Sequence, residues 1–277
     1  MATEATPAEV RRARLRAMLA QDGFVRVATA AAELGVSEVT LRADLAALER
    51  AGALTRIHGG AMPVARGRED PVEATDARER EAKRAIGRAA AALVPSGACL
   101  ALDVGSTALA VARALVARPE LRDVTILTNG LGIALALEEA VPRFTVLVTG
   151  GTLRPLQHSL VAPLADATLA GVHLDLAILG GNGVAEDGDV TNLNLPEAEV
   201  KRMLLDRADR AVLIADGSKA GRTAPARIGA LREFATLVTA GRGGDRLAAL
   251  ARAHGVAAIV ADGVTPDGGD DAPRLSG

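Results

Sequence analysis

The stretch Leu100-Ala101-Leu102-Asp103-Val104-Gly105-Ser106-Thr107-Ala108-Leu109 is an apolar run that ends in a carboxylate, turns through Gly-Ser-Thr and enters a helical pattern. A turn of this kind leaves backbone N–H groups and two hydroxyls at a helix N-terminus, where partial positive charge suits a phosphate. Taken alone, Ser and Thr are also ordinary helix caps. The rest of the chain decides between the two.

Seven apolar runs of strand length alternate with helical segments, at 98–103, 124–128, 145–149, 174–179, 211–215, 236–239 and 256–260. Runs without a polar face predict a mostly parallel sheet covered on both sides. Small, polar, Gly-rich residues follow five of them: Asp103-Val104-Gly105-Ser106-Thr107, Thr128-Asn129-Gly130, Thr149-Gly150-Gly151-Thr152-Leu153-Arg154, Gly180-Gly181-Asn182-Gly183 and Asp216-Gly217-Ser218-Lys219. In a parallel sheet these ends share one edge, which makes a crevice for a small ligand. The repetition favours phosphate binding at the first turn.

At 277 residues the chain is long enough for two domains. It has no Trp or Tyr, so its core is built from Ala, Val, Leu and Ile. Half of it is hydrophobic, which excludes disorder over most of its length. No apolar run reaches the ~20 residues needed to span a bilayer, and residues 1–10 carry no signal pattern. The single cysteine, Cys99, lies in an apolar run and reads as a buried, inert thiol. A cytoplasmic location is expected. A net charge of −2 means that any basic face is local.

Upstream, Thr6-Pro7-Ala8-Glu9 reads as a capped helix start, and Asp22-Gly23 as its end. Residues 25–27 read as extended, and 29–34 as a short helix stopped by Gly35. Ser37 is a good N-cap for a second helix running to Arg50, with Val39, Leu41, Leu45 and Leu48 facing inward. Ser37, Thr40 and Arg42 then lie near its exposed N-terminal end, as a major-groove recognition helix requires. Residues 53–61 read as a β-wing carrying Arg56 and His58, with a Gly pair able to approach a phosphate closely. The bland alternative is a helical module that packs on its neighbour. The expected domains are a winged helix-turn-helix at 7–62, a linker at 63–72, an α/β domain at 73–260 opening on a long helix over 73–93, and a disordered tail at 261–277.

The chain resembles the DeoR family of bacterial transcriptional regulators over nearly its whole length. The motifs are Leu34 to Ser37, Thr40 to Arg42, Asp44-Leu45 and Arg56 to Ala61, then Asp103 to Thr107, Thr128-Asn129, Gly150-Gly151 with Arg154, and Gly180 to Gly183. Thr191-Asn192, Glu197-Ala198, Val200 to Arg202 and Asp216 to Lys219 complete the set. The resemblance implies a sugar-phosphate sensor domain related in fold to ribose-5-phosphate isomerase and CoA transferases. Two departures stand out: Ala43 replaces a second Arg on the recognition helix, and Ala162 replaces a Gly.

The expected DNA-contacting residues are Ser37, Thr40, Arg42, Arg56 and His58. The expected effector residues are Asp103, Gly105, Ser106, Thr107, Thr128, Asn129, Gly151, Arg154, Asn182, Lys201 and Lys219. Each has a plainer alternative. Asp103 accepts from sugar hydroxyls or ties its own turn together. Arg154 clamps a phosphate or bridges to an acid. Lys201 contacts ligand or lies on the surface. Asn129 and Asn182 recognise a sugar or merely turn the chain. Glu197 compensates a helix dipole. Only three lysines stand against the arginines, and Lys219 follows a strand end, where a compact ammonium suits a phosphate. His158 and His173 lack metal-ligand spacing, so neither metal nor cofactor is expected.

The reading is therefore a homo-oligomeric repressor that binds double-stranded operator DNA and answers to a small phosphorylated sugar, with no enzymatic activity and no membrane contact. The alternatives are an isomerase-like enzyme using Asp103, Glu197 and Lys219, and a DNA-binding protein with a vestigial crevice.

Overall fold

A computed structural model describes residues 7–22, 25–50, 54–57, 60–63 and 79–261. They belong to two compact units, Met1–Glu69 and Asp70–Gly277.

The first unit comprises α1 (Pro7–Asp22), β1 (Val25–Arg26), α2 (Val27–Glu33), α3 (Glu38–Arg50), β2 (Leu54–Ile57) and β3 (Gly60–Pro63). The strands form an antiparallel sheet in the order β1-β3-β2. Leu41, Leu45 and Leu48 on α3 are buried with Leu15, Ala30 and Leu54, each such leucine contributing roughly 1.5–3 kcal/mol. Gly35, with φ of 64°, ends α2. The Val36 N–H bonds back to the Ala31 carbonyl at 3.0 Å, which closes the helix in the usual glycine-terminated way. Two expectations are corrected. Val39 is 74% exposed rather than inward, because it lies off the stripe set by the 3.6-residue period. Val27 begins α2 instead of ending β1. Thr6, His58 and Gly59 lie outside the described residues.

The second unit contains α4 (Arg80–Ala91), β4 (Cys99–Leu102), α5 (Ser106–Val116), β5 (Val124–Thr128), α6 (Leu131–Leu137), β6 (Phe144–Val148), β7 (Thr152–Arg154), β8 (Ser159–Val161) and α7 (Leu164–Ala170). It continues with β9 (Leu176–Gly180), β10 (Gly183–Val184), β11 (Asp189–Asn192), α8 (Leu195–Asp206), β12 (Ala211–Ile214), β13 (Ala226–Ala230), β14 (Thr236–Thr239), α9 (Gly244–Ala253) and β15 (Ala257–Val260). The seven apolar runs become one seven-stranded sheet, β15-β14-β12-β9-β4-β5-β6, with every ladder parallel.

Alternation along the strands feeds two cores. Leu100, Leu102 and Ile178 pack with Ile86, Val111 and Leu115 of α4 and α5. Ala101, Ala177 and Leu179 pack on the other face with Ala165, Leu204 and Leu247 of α7, α8 and α9. Burial on both faces is why the runs show no polar face. The expected helix over 73–93 starts only at Arg80. Glu79 has φ of 50°, and a left-handed residue cannot sit inside a right-handed helix. Residues 71–78 and 262–277 lie outside the described set. Cys99 is partly rather than fully buried. Burial, and then Asp175, push its thiol up, so it stays protonated and unreactive. No helix among the described residues is long and apolar enough to cross a membrane.

Candidate functional site

Sheet order reverses beside β4. The chain runs β4-β5-β6 one way and then β9-β12-β14-β15 the other, so the β4–β9 junction is the switch point where open α/β sheets bind ligands. Asp103 ends β4 there and is fully buried. Its Oδ2 accepts from the Gly180 N–H at 3.0 Å and from the Lys201 ammonium. Lys201 Nζ lies 3.6 Å from Glu197 Oε1. Asn192 Nδ2 donates to that oxygen at 3.3 Å. Glu197 Oε2 accepts from Arg154 and from Ser159 Oγ at 3.2 Å.

The result is a closed, nearly dry network of two cations and two carboxylates. Burial alone would lower the Lys201 ammonium, but Asp103 and Glu197 outweigh it and hold the group above the usual lysine range. Burial pushes the Asp103 carboxyl up.

Several alternatives are thereby resolved. Lys201 is buried, not on the surface. Asp103 does not tie the Gly105–Thr107 turn but reaches across to β9 and α8. Glu197 does more than compensate a dipole, since Asn194 caps α8 by accepting from the Glu197 N–H at 3.1 Å. Arg154 makes the bridge to an acid.

Beside this network three buried polar atoms end adjacent strands without a hydrogen-bond partner among the described residues: Asp103 Oδ1 on β4, Asn129 Oδ1 on β5 and Thr149 Oγ1 on β6. A buried orphan costs roughly 1–3 kcal/mol, and three in a row mark a place built for hydroxyl and amide partners. Asn129 is held from its other end, with Nδ2 donating to the Leu160 carbonyl at 3.1 Å. Thr128 Oγ1 accepts from the Gly130 N–H at 3.1 Å.

Helix α5 starts next to them. Gly105 is its N-cap, with φ of 105°, and neither Ser106 nor Thr107 caps it with a side chain. The capping alternative for those hydroxyls therefore fails. A Cβ on Gly105 would meet nothing within 4 Å, so the helix terminus opens onto space. Gly151 is required for another reason. Its φ is 139°, and a Cβ there would lie 2.0 Å from the Val161 carbonyl oxygen, so only glycine lets β7 turn back onto β8.

Two expected residues stand apart. Asn182 Oδ1 accepts from the Leu193 N–H at 2.9 Å and so pins a turn. Lys219 lies 3.9 Å from Asp216 and has no contact that joins it to the buried network. Sequence reasoning left Ser159, Asn192 and Asn194 unassigned; an isolated Ser or Asn gives no periodic or spacing signal. The largest cleft, about 540 Å³, lies between α4 and α5 and is lined by Arg80, Lys83, Arg84, Arg88 and Arg113, not by strand-end residues. Among the described residues no cluster of His, Cys, Asp or Glu could hold a metal ion.

In the first unit Ser37 caps α3, with its Oγ accepting from the Thr40 N–H at 3.2 Å and 2.9 Å from Thr40 Oγ1. Arg42 is exposed and pairs with Glu38 at 2.5 Å. Arg56 lies on β2; its side chain, like His58, is outside the described residues. Asp44 is buried on α3 and receives Arg11 and, at 2.9 Å, Arg12, clamping α1 to α3. Burial works to raise its carboxyl, but the two guanidiniums overcome this and hold it below the usual range. A depressed carboxylate stabilises the fold above its unfolded pKa, and that gain is lost as pH falls through the folded value. Asp44→Asn is therefore expected to cost about 2 kcal/mol at pH 7. In thermal melts followed by circular dichroism, the gap to the parent should shrink steadily below about pH 4. A gap independent of pH would refute the clamp.

Two family models match the chain: the DeoR-like helix-turn-helix domain over residues 11–65 and the DeoR C-terminal sensor domain over residues 78–240. The chain belongs to the DeoR family. This DeoR-family protein is 35% identical over 238 residues to the transcriptional regulator GlpR of Haloferax volcanii, covering 85% of this chain and 90% of that one. It is 32% identical to the repressor CsqR of Escherichia coli, over 80% of this chain and 84% of that one. It is 30% identical to the glycerol-3-phosphate regulon repressor of Escherichia coli, over 77% of this chain and 83% of that one. A ribose-5-phosphate isomerase in complex with phospho-erythronic acid aligns with a TM-score of 0.38 at 16% identity, over 51% of this chain and 54% of that one. The protein is a DNA-binding transcriptional regulator with a C-terminal sensor domain.

Proposed function

We propose that this DeoR-family protein is a repressor of a carbohydrate operon, and that a phosphorylated sugar or polyol seated at the β4–β9 switch point weakens its hold on operator DNA. The carrying observation is the row of orphan polar atoms, Asp103 Oδ1, Asn129 Oδ1 and Thr149 Oγ1, beside the open start of α5. The first two accept hydrogen bonds from hydroxyls, while the Ser106–Thr107 terminus takes a phosphate. The regulon named for the Escherichia coli relative, glycerol 3-phosphate, carries the same pairing of hydroxyls and phosphate. Asp103 and Glu197 are each tied to a cation, so neither stands ready as a base, which favours a sensor over an isomerase. Location in the cytoplasm and the absence of any cofactor belong to this reading.

On the DNA side, two copies present α3 to half-sites about 34–36 Å apart. Ser37, Thr40, Arg42, Arg56 and His58 supply the contacts. Effector and operator oppose each other by roughly 1–3 kcal/mol, as is usual for allosteric coupling. Operator binding at fixed salt, with and without phosphorylated sugars and their unphosphorylated forms, tests the whole scheme; salt must be fixed because phosphate contacts make affinity steeply salt-dependent. Release by one phosphorylated compound and not by its parent is the expected result. Turnover of that compound would instead establish an enzyme. Arg42→Ala is expected to weaken operator binding by about 10- to 100-fold, the usual value of one bidentate base contact. An unchanged operator affinity would remove α3 from the DNA interface.

A further inference from the structure

Ten large apolar side chains are exposed among the described residues, and seven of them lie between Leu135 and Leu164. Leu147 and Val148 stand on β6, which ends the sheet and has no strand on its outer edge among the described residues. Leu135 lies on α6, which packs on β6. Leu164 begins α7 and abuts Gly150. Leu153 and Leu156 belong to the β7–β8 hairpin that follows.

Soluble proteins do not leave a long, flat, apolar edge strand without something to cover it. From Phe144 to Leu153 there is no charged residue. A neutral apolar edge does not suit nucleic acid or a highly charged partner. It does suit a copy of itself, since a two-fold axis brings the same patch against the same patch. The operator scheme requires a second copy in any case.

We infer that this β6 edge, with the adjoining hairpin, is where a second copy of the chain docks, and that the hairpin couples this interface to the effector site. The inference rests on the proposed function for the meaning of the site, but not for the existence of the interface. The coupling follows from strand geometry. Successive side chains of a strand point to opposite faces. Strand β7 turns Arg154 in to Glu197, so it turns Leu153 out; Leu153 is 48% exposed. Strand β8 is tied to Asn129, whose carbonyl accepts from the Leu160 N–H at 2.7 Å. A ligand that draws on Asn129 or Arg154 therefore pulls on the element that carries the interface leucines.

Sedimentation equilibrium of the full chain tests this. Leu147→Glu and Leu153→Glu are expected to weaken self-association on the order of 100-fold, because each would bury an unpaired charge at the contact. Glu197→Gln, which loosens Arg154, is expected to change the association constant at least threefold while circular dichroism stays native. If the glutamate variants fail to fold, Leu135→Gln and Leu156→Ser, both at exposed positions, decide with a smaller loss. A monomeric parent protein, or folded variants that assemble as the parent does, would overturn the interface. An unchanged constant in Glu197→Gln would overturn the coupling. Glycerol 3-phosphate and glucose 6-phosphate, each beside its unphosphorylated parent, are then added to the operator assay. Their failure to act there would count against the effector reading and leave the assembly result standing.

Discussion

Replacing Lys201 by methionine is expected to destabilise the sensor domain by about 3–5 kcal/mol, the cost of removing one partner from a buried ion pair. The ammonium compensates two carboxylates, Asp103 and Glu197, in a place where the Lys201 side chain is only 3% exposed. Without it Arg154 is left to balance both. Adding Asp103→Asn should recover part of the loss, because the neutral amide still accepts from the Gly180 N–H and no buried charge is stranded. The single variant should also improve relative to the parent as pH falls. Its Asp103 carboxyl, already pushed up by burial, would take a proton in the folded state more readily than in the unfolded one. Urea unfolding across pH reads all three effects. A loss under about 1 kcal/mol at pH 7, comparable to a surface pair, would mean that the network is wetter than its burial indicates.

Thr107→Glu is expected to abolish the response to a phosphorylated effector, weakening its binding by about 100-fold or more, equivalent to roughly 2.7 kcal/mol. The residue is in the first turn of α5 and partly exposed. A carboxylate there takes over the positive end of the helix and repels the phosphate it replaces. Stability should hold or rise slightly, because an acid suits a helix N-terminus. Operator binding without effector should be unchanged, so the variant behaves as a repressor that cannot be released. Thr107→Val, which removes only the hydroxyl, should cost a few-fold. If Thr107→Glu still responds to the same compound at the same concentration, the phosphate does not sit on α5.

Much of this was legible beforehand, and the reasons differ by element. The seven sheet strands were readable because burial on both faces leaves unbroken apolar runs. The turn residues at their ends were readable because a crevice edge concentrates Gly, Asn and Ser. Ser37 and Gly35 were readable because caps follow local rules. The antiparallel β10-β11-β13 sheet and the β7–β8 hairpin were not. Their strands have two to five residues and too few alternations to show a period. The Asp103–Lys201–Glu197–Arg154 network was the larger omission. Its members are scattered over a hundred positions, and a lysine beside an arginine on a helix looks like a solvated face until tertiary packing buries it. The position of Val39 failed because apolarity was read as inwardness, whereas a single exposed valine is ordinary.

The ladder between β4 and β9 is short, with Leu100, Ala101 and Leu102 opposite Leu176, Ala177 and Ile178. On one side of that seam lies a continuous piece of chain ending at β6, and on the other everything from β9 onward. The Asp103–Gly180 bond and the Lys201 ion pair cross it. A small molecule lodged at the top of this ladder would act as a rivet between two plates, gripping Asn129 and the start of α5 on one plate and leaning on the Lys201 cluster of the other. Its arrival would be felt as a change in the angle and stiffness of the seam itself, before any side chain at a distant surface has moved.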